Sequence, residues 1–159
     1  MLKWLTIAFG IALLAAGAWF SATDFMTSLE RRRQKQTMAD MRTIGTALEA
    51  RAADLKSLTM GPVRHVPAGT LHRVAHEDLA RALIPTYTRE LPRLDQWGEP
   101  IRVYVGNYDE KGRARDYLVR TFGSDRRADT SHYTYKTISR FSEDVVYANG
   151  NFLQRPEGI

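Results

Sequence analysis

Thr37-Met-Ala-Asp-Met-Arg-Thr-Ile-Gly-Thr-Ala-Leu-Glu-Ala-Arg-Ala-Ala-Asp54 is the stretch on which the fold turns. Met38, Met41, Ile44, Leu48, Ala52 and Leu55 recur every third or fourth residue, which draws one apolar stripe down an α-helix. Asp40, Arg42, Thr46, Glu49, Arg51 and Asp54 take much of the remaining surface. Ala, Leu, Met, Glu and Arg are strong helix formers, so propensity and period agree. Gly45 lies inside this pattern and points to close packing rather than to a break. Leu48→Ala is therefore expected to be costly, and Arg51→Ala, on a polar face, nearly silent.

Working toward the N-terminus, Trp4 to Ala22 carries no charged residue. At 1.5 Å per residue it reaches about 28 Å, close to the thickness of a bilayer's hydrocarbon core. The expectation is a retained single-pass anchor over residues 1–22, with residues 23–58 extending the same helix and 59–159 forming the folded domain. A signal peptide cut after Ala18 is the competing reading, because Ala16 and Ala18 supply small residues at the right spacing. An unbroken helix from Trp4 to Leu58 would be about 80 Å long. Arg31, Arg32, Arg33 and Lys35 outnumber Lys3, and the positive-inside rule would then put the domain in the cytoplasm. The same cations could instead be a solvated face, or contact lipid phosphates or a second subunit.

Toward the C-terminus, Gly61, Pro62, Pro67 and Gly69 make Thr59 to Thr70 a loop. His76 to Ile84 reads as a short helix, with Glu77 and Asp78 in its first turn and Pro85 just past its end. From Ile101 the period becomes two. Ile101–Val105 and Asp116–Phe122 form one expected hairpin, and Asp144–Tyr147 with Asn151–Gln154 form another around Asn149-Gly150. Gly123 to Ser142 reads as a long polar connection. The fold class is α+β: a long N-terminal helix packed on a small four-stranded antiparallel sheet, with one short extra helix.

Composition narrows the chemistry. Hydrophobic residues make up 43% and aromatics 10%, enough for a core. Cysteine is absent, which removes disulfides, thiol nucleophiles and thiolate metal sites. The net charge of +5 is spread along the chain, as solubility requires, so nucleic acid is not an expected partner. His72 and His76 are one helical turn apart and would share a face if both were helical, but no HExxH and no third ligand accompanies them. No Gly-x-Ser-x-Gly is present, and no enzyme is expected. Trp97 is expected as a core plug, its indole N–H bonded to a loop carbonyl.

Several blocks together carry a resemblance: Met38-Ala-Asp-Met-Arg-Thr-Ile44, Leu91-Pro-Arg-Leu-Asp-Gln-Trp-Gly98, Arg120-Thr-Phe-Gly-Ser-Asp125 and Val145-Val-Tyr-Ala-Asn-Gly150. From about Gln34 to Gly158 the chain resembles the major pseudopilin family of type II secretion, general secretion pathway protein G. The resemblance implies a subunit that stacks helix to helix in a periplasmic assembly, anchored in the inner membrane. Other pseudopilin or secretion-apparatus subunits, membrane lipid and further copies of the chain are its implied partners. The family's short basic leader, cleavage-site glycine and fifth-position glutamate have no counterpart before Trp4, so the expectation is a pseudopilin-like domain on a plain anchor. The alternative is a periplasmic binding or adaptor module that does not polymerise. In the resembled family a C-terminal loop folds around calcium. Here the matching regions offer Ser124, Asp125 and Asp129, then Ser142, Glu143 and Asp144, with Asp125 and Asp144 the expected metal ligands. The other reading of the same residues is that Asp125 stabilises a turn, Asp144 starts a strand, and nearby arginines neutralise the acids.

Overall fold

The computed structural model describes residues 2–60, 71–129 and 134–157, with side chains from Asp24 onward. One helix, α1, runs Leu2–Leu55. By its internal contacts the chain divides into two units, Met1–Arg33 and Gln34–Ile159. The first is helical throughout its described backbone. Arg33 pairs with Glu30 one turn back at 2.8 Å, and Phe25 and Met26 are exposed, at 65% and 55%. The expected anchor Trp4–Ala22 is helical in backbone, and its side chains lie outside the described residues. Among the described residues no helix is long and apolar enough to cross a membrane.

The second unit joins the C-terminal part of α1 to a six-stranded sheet of order β1-β2-β3-β5-β6-β4. Its elements are β1 (His72–Val74), α2 (His76–Leu83), β2 (Arg102–Tyr108), β3 (Ala114–Thr121), β4 (Lys136–Ile138), β5 (Val145–Ala148) and β6 (Asn151–Pro156). Neighbours are antiparallel except β4 and β6, which run parallel. The expected four-stranded antiparallel sheet is therefore corrected to a six-stranded mixed one. Its four members are β2, β3, β5 and β6. The two additions are three-residue edge strands, too short to show an alternation, and β4 lies inside the segment read as a polar connection. The Asn149-Gly150 hairpin is present, both residues having positive φ, 45° and 86°, as a two-residue type I′ turn requires. The loop expected at Thr59–Thr70 lies outside the described residues beyond Met60.

The stripe on α1 buries Met38, Met41, Ile44 and Leu48 in one core with Val103, Val105, Val119 and Val145 of the sheet. Leu79 and Leu83 of α2 join it. The stripe ends earlier than its period suggested. Leu55 is 55% exposed, and the helix stops there because Lys56 turns left-handed at φ 55°, a C-terminal stop made without glycine. Leu58 returns to the core separately, its N–H bonded to the Ala114 carbonyl at 2.9 Å. Two polar residues, Gln34 and Thr37, share the buried face.

Gly45 faces the rings of Tyr117 and Tyr147. A Cβ there would lie 2.3 Å from Tyr147 Cε1 and 3.0 Å from the Tyr117 hydroxyl oxygen. That hydroxyl is fixed, donating to Glu49 at 2.5 Å and accepting the Gly150 N–H at 2.9 Å. Burial, and then the bond to Glu49, hold the Tyr117 phenol well above its ordinary range. Gly45→Ala gains about 1 kcal/mol of helix propensity and suffers overpacking of about 1–3 kcal/mol. A net loss is expected, read as a lower urea midpoint. A raised midpoint would show that the Tyr147 ring moves aside without strain.

Candidate functional site

The chain leaving β3 must return to form β5 beside it, and its two ends are packed backbone on backbone. Gly123 opens the connection at φ +66°, where an added Cβ would lie 2.6 Å from the Glu143 carbonyl oxygen and 2.7 Å from that of Phe141. The Ser124 N–H bonds the Phe141 carbonyl at 2.8 Å. Glu143 accepts the N–H groups of Ser139 and Arg140 at 2.8 and 3.0 Å and pairs with Lys136. Burial works to raise the Glu143 pKa, and these partners outweigh it, so its carboxyl stays below the usual range.

At the end of this connection Asp144 is completely buried. Its Oδ2 accepts Arg120 Nε–H at 3.0 Å and Arg120 Nη2–H at 2.5 Å. Asp129 and Asp144 also hold each other. The Asp144 N–H reaches Asp129 Oδ2 at 2.9 Å, and the Asp129 N–H reaches Asp144 Oδ2 at 3.3 Å. Asp144 Oδ1 is buried with no hydrogen-bond partner. Burial pushes the Asp144 carboxyl up, and the Arg120 guanidinium pulls against it. Arg120 is itself 7% exposed and lies 4.5 Å from the centre of the Phe122 ring, with Arg102, its cross-strand neighbour, 3.8 Å from the same ring.

The two expected metal ligands have separate partners. Asp125 is exposed, and its Oδ1 accepts the Arg127 N–H at 3.0 Å, which is a local Asx turn. Asp144 meets Asp129 and Arg120. Among the described residues no three His, Asp or Glu side chains converge where a metal ion could sit. Calcium takes six to eight oxygens. Here Asp144 has one oxygen uncommitted, and its other oxygen already serves a cation, so Asp125 and Asp144 do not fit the ion as a pair. Arg120 is the residue that sequence reasoning missed. An arginine inside an otherwise apolar strand, Tyr117-Leu-Val-Arg-Thr-Phe122, was the available signal, because a buried guanidinium demands a carboxylate. His72 and His76 do not share a helical face: His72 is on β1 and His76 opens α2.

No family model, curated protein or solved structure matches the chain. Its functional reading accordingly rests on geometry.

The Leu91–Pro100 block connects this connection to α1. Asp95 is 5% exposed, and its Oδ1 accepts the N–H groups of Trp97 and Glu99, both at 2.9 Å. Burial raises its pKa against those bonds. The Gln96 N–H bonds Thr37 Oγ1 at 3.2 Å and its amide bonds Asp40 at 3.2 Å, while Arg126 donates to the Trp97 carbonyl at 2.9 Å. Trp97 is buried as a plug, and the turn around it holds helix and loop together. A cleft of about 470 Å³ at the β2–β3 turn is lined by Tyr108, Asp109, Arg113 and Arg115. The Arg113 N–H, then its side chain, holds the Asp109 carboxyl far below the usual range, so this acid stays ionised and acts as a turn staple.

Proposed function

We propose that this chain is a structural, pseudopilin-like subunit, anchored in the inner membrane by the N-terminal part of α1, with its sheet-bearing unit in the periplasm. It packs helix to helix against further copies or related secretion-apparatus subunits. The observation that supports this is the change of burial along one helix. Met38, Met41, Ile44, Ala47 and Leu48 of α1 are buried in the unit's own core, whereas Phe25 and Met26 on the same helix are exposed. Exposed large apolar side chains on a helix call for lipid or another helix as cover. The basic run Arg31–Arg33 follows them, suited to a headgroup or to a neighbour's acids.

Because the chain has no cysteine, a single introduced thiol reports one position. Oxidation of isolated membranes carrying Met26→Cys should give a disulfide-linked dimer, and Asp125→Cys, on the exposed turn, should not. A Met26→Cys chain that sediments with membranes and stays monomeric would reject helix-to-helix assembly in favour of a non-polymerising periplasmic adaptor. Failure to sediment with membranes would reject the anchor.

A further inference from the structure

We propose that the Arg120 guanidinium is the resident cation of the β3–β5 connection, closing it in place of a metal ion. The inference stands on the geometry of this connection and does not depend on helix-to-helix assembly.

Among its described residues the connection has three closures, each made by the chain itself. At its neck, Gly123 brings Ser124 onto Phe141. Near its far end, Glu143 gathers Lys136 and the N–H groups of Ser139 and Arg140. Asp129 in its first part and Asp144 at its end exchange main-chain to side-chain bonds. The third closure puts two carboxylates side by side, one of them wholly buried, and like charges so placed repel. A cation there offsets that repulsion. Arg120 supplies it from the adjacent strand, directing two N–H groups at one oxygen of Asp144.

The guanidinium is held for this task. It stacks on Phe122, and the register Arg120↔Val146 sets its Cα across from the second residue of β5, two places past Asp144. A guanidinium keeps its charge at every pH the fold survives, and its planar donors match a carboxylate. A divalent ion seeking Asp144 Oδ1 would approach a carboxylate already neutralised by that fixed positive charge. The two ends of the connection are therefore held together whether or not calcium is present.

Thermal melts of the full chain in detergent micelles test this, each run with millimolar calcium chloride and with chelator. The parent midpoint should be the same in both, and Arg120→Met should lower it by several degrees in either. Arg120→Lys, which keeps the charge but not the fork, should fall between them and remain indifferent to calcium. If Arg120→Met does not fold, an Arg120→Lys chain that folds without calcium carries the support. A parent midpoint that climbs with calcium, as ligand binding to the native state demands, overturns the proposal. So does an Arg120→Met chain that melts with the parent, or an Arg120→Lys chain that folds only with calcium.

Discussion

Leu48→Ala should lower the unfolding free energy by about 2–5 kcal/mol. Leu48 has no exposed surface and lies in one cluster with Met41, Ile44, Val105, Tyr117 and Tyr147. Truncation removes apolar contact and leaves a hole that its neighbours cannot readily fill. Those neighbours include stiff β-branched valines on strands and two tyrosines, one fixed through its hydroxyl by Glu49 and Gly150. Alanine's small advantage in helix propensity, a few tenths of a kcal/mol, offsets little of this. Arg51→Ala provides the reference. Its guanidinium bonds the carbonyls of Ser57 at 3.1 Å and Thr59 at 3.0 Å, bridging the turn beyond α1. It is thus not the silent surface position that its place on the polar face suggests, and about 1 kcal/mol should be lost. Urea melts that rank Arg51→Ala as the costlier change would mean that α1 is rotated from the phase described.

The parts of the fold that could be read in advance are those where local pattern and tertiary burial coincide. The α1 stripe has the helical period because Met38, Met41, Ile44 and Leu48 all meet one sheet. Strand β2 alternates from Arg102 to Val105, buried at Val103 and Val105, whereas β3 is buried at every position from Tyr117 to Thr121. The period overran at Leu55, since the left-handed Lys56 that stops α1 belongs to a residue type with no such preference. It also passed over Thr37, a polar residue buried because a distant turn donates the Gln96 N–H to it. In the β3–β5 connection, spacing could nominate acids but could not choose among them. Asp125 and Asp129 are equally acidic on paper, and only the folded turn sends the first to Arg127 and the second to Asp144. The pairing of Arg120 with Asp144, 24 residues apart, is a property of strand adjacency and has no local signature.

Asp144→Ala should cost about 3–5 kcal/mol, the range for leaving one member of a buried ion pair alone. Arg120 would keep its buried position with no carboxylate beneath two of its N–H groups, and the Asp129 N–H would lose its acceptor as well. Raising pH cannot discharge an arginine in any range where the protein folds, so no protonation change relieves the loss. The double variant Arg120→Met with Asp144→Ala removes both charges and should recover much of it, because an apolar side chain of similar length can lie on Phe122 where the guanidinium did. The expected sign of the coupling is therefore clear: the double variant melts above the Asp144→Ala single variant. The four chains of this cycle, compared by urea unfolding at constant pH, measure it directly. Additive losses, with the double variant less stable than the parent by the sum of the two single losses, would mean that Arg120 and Asp144 act independently.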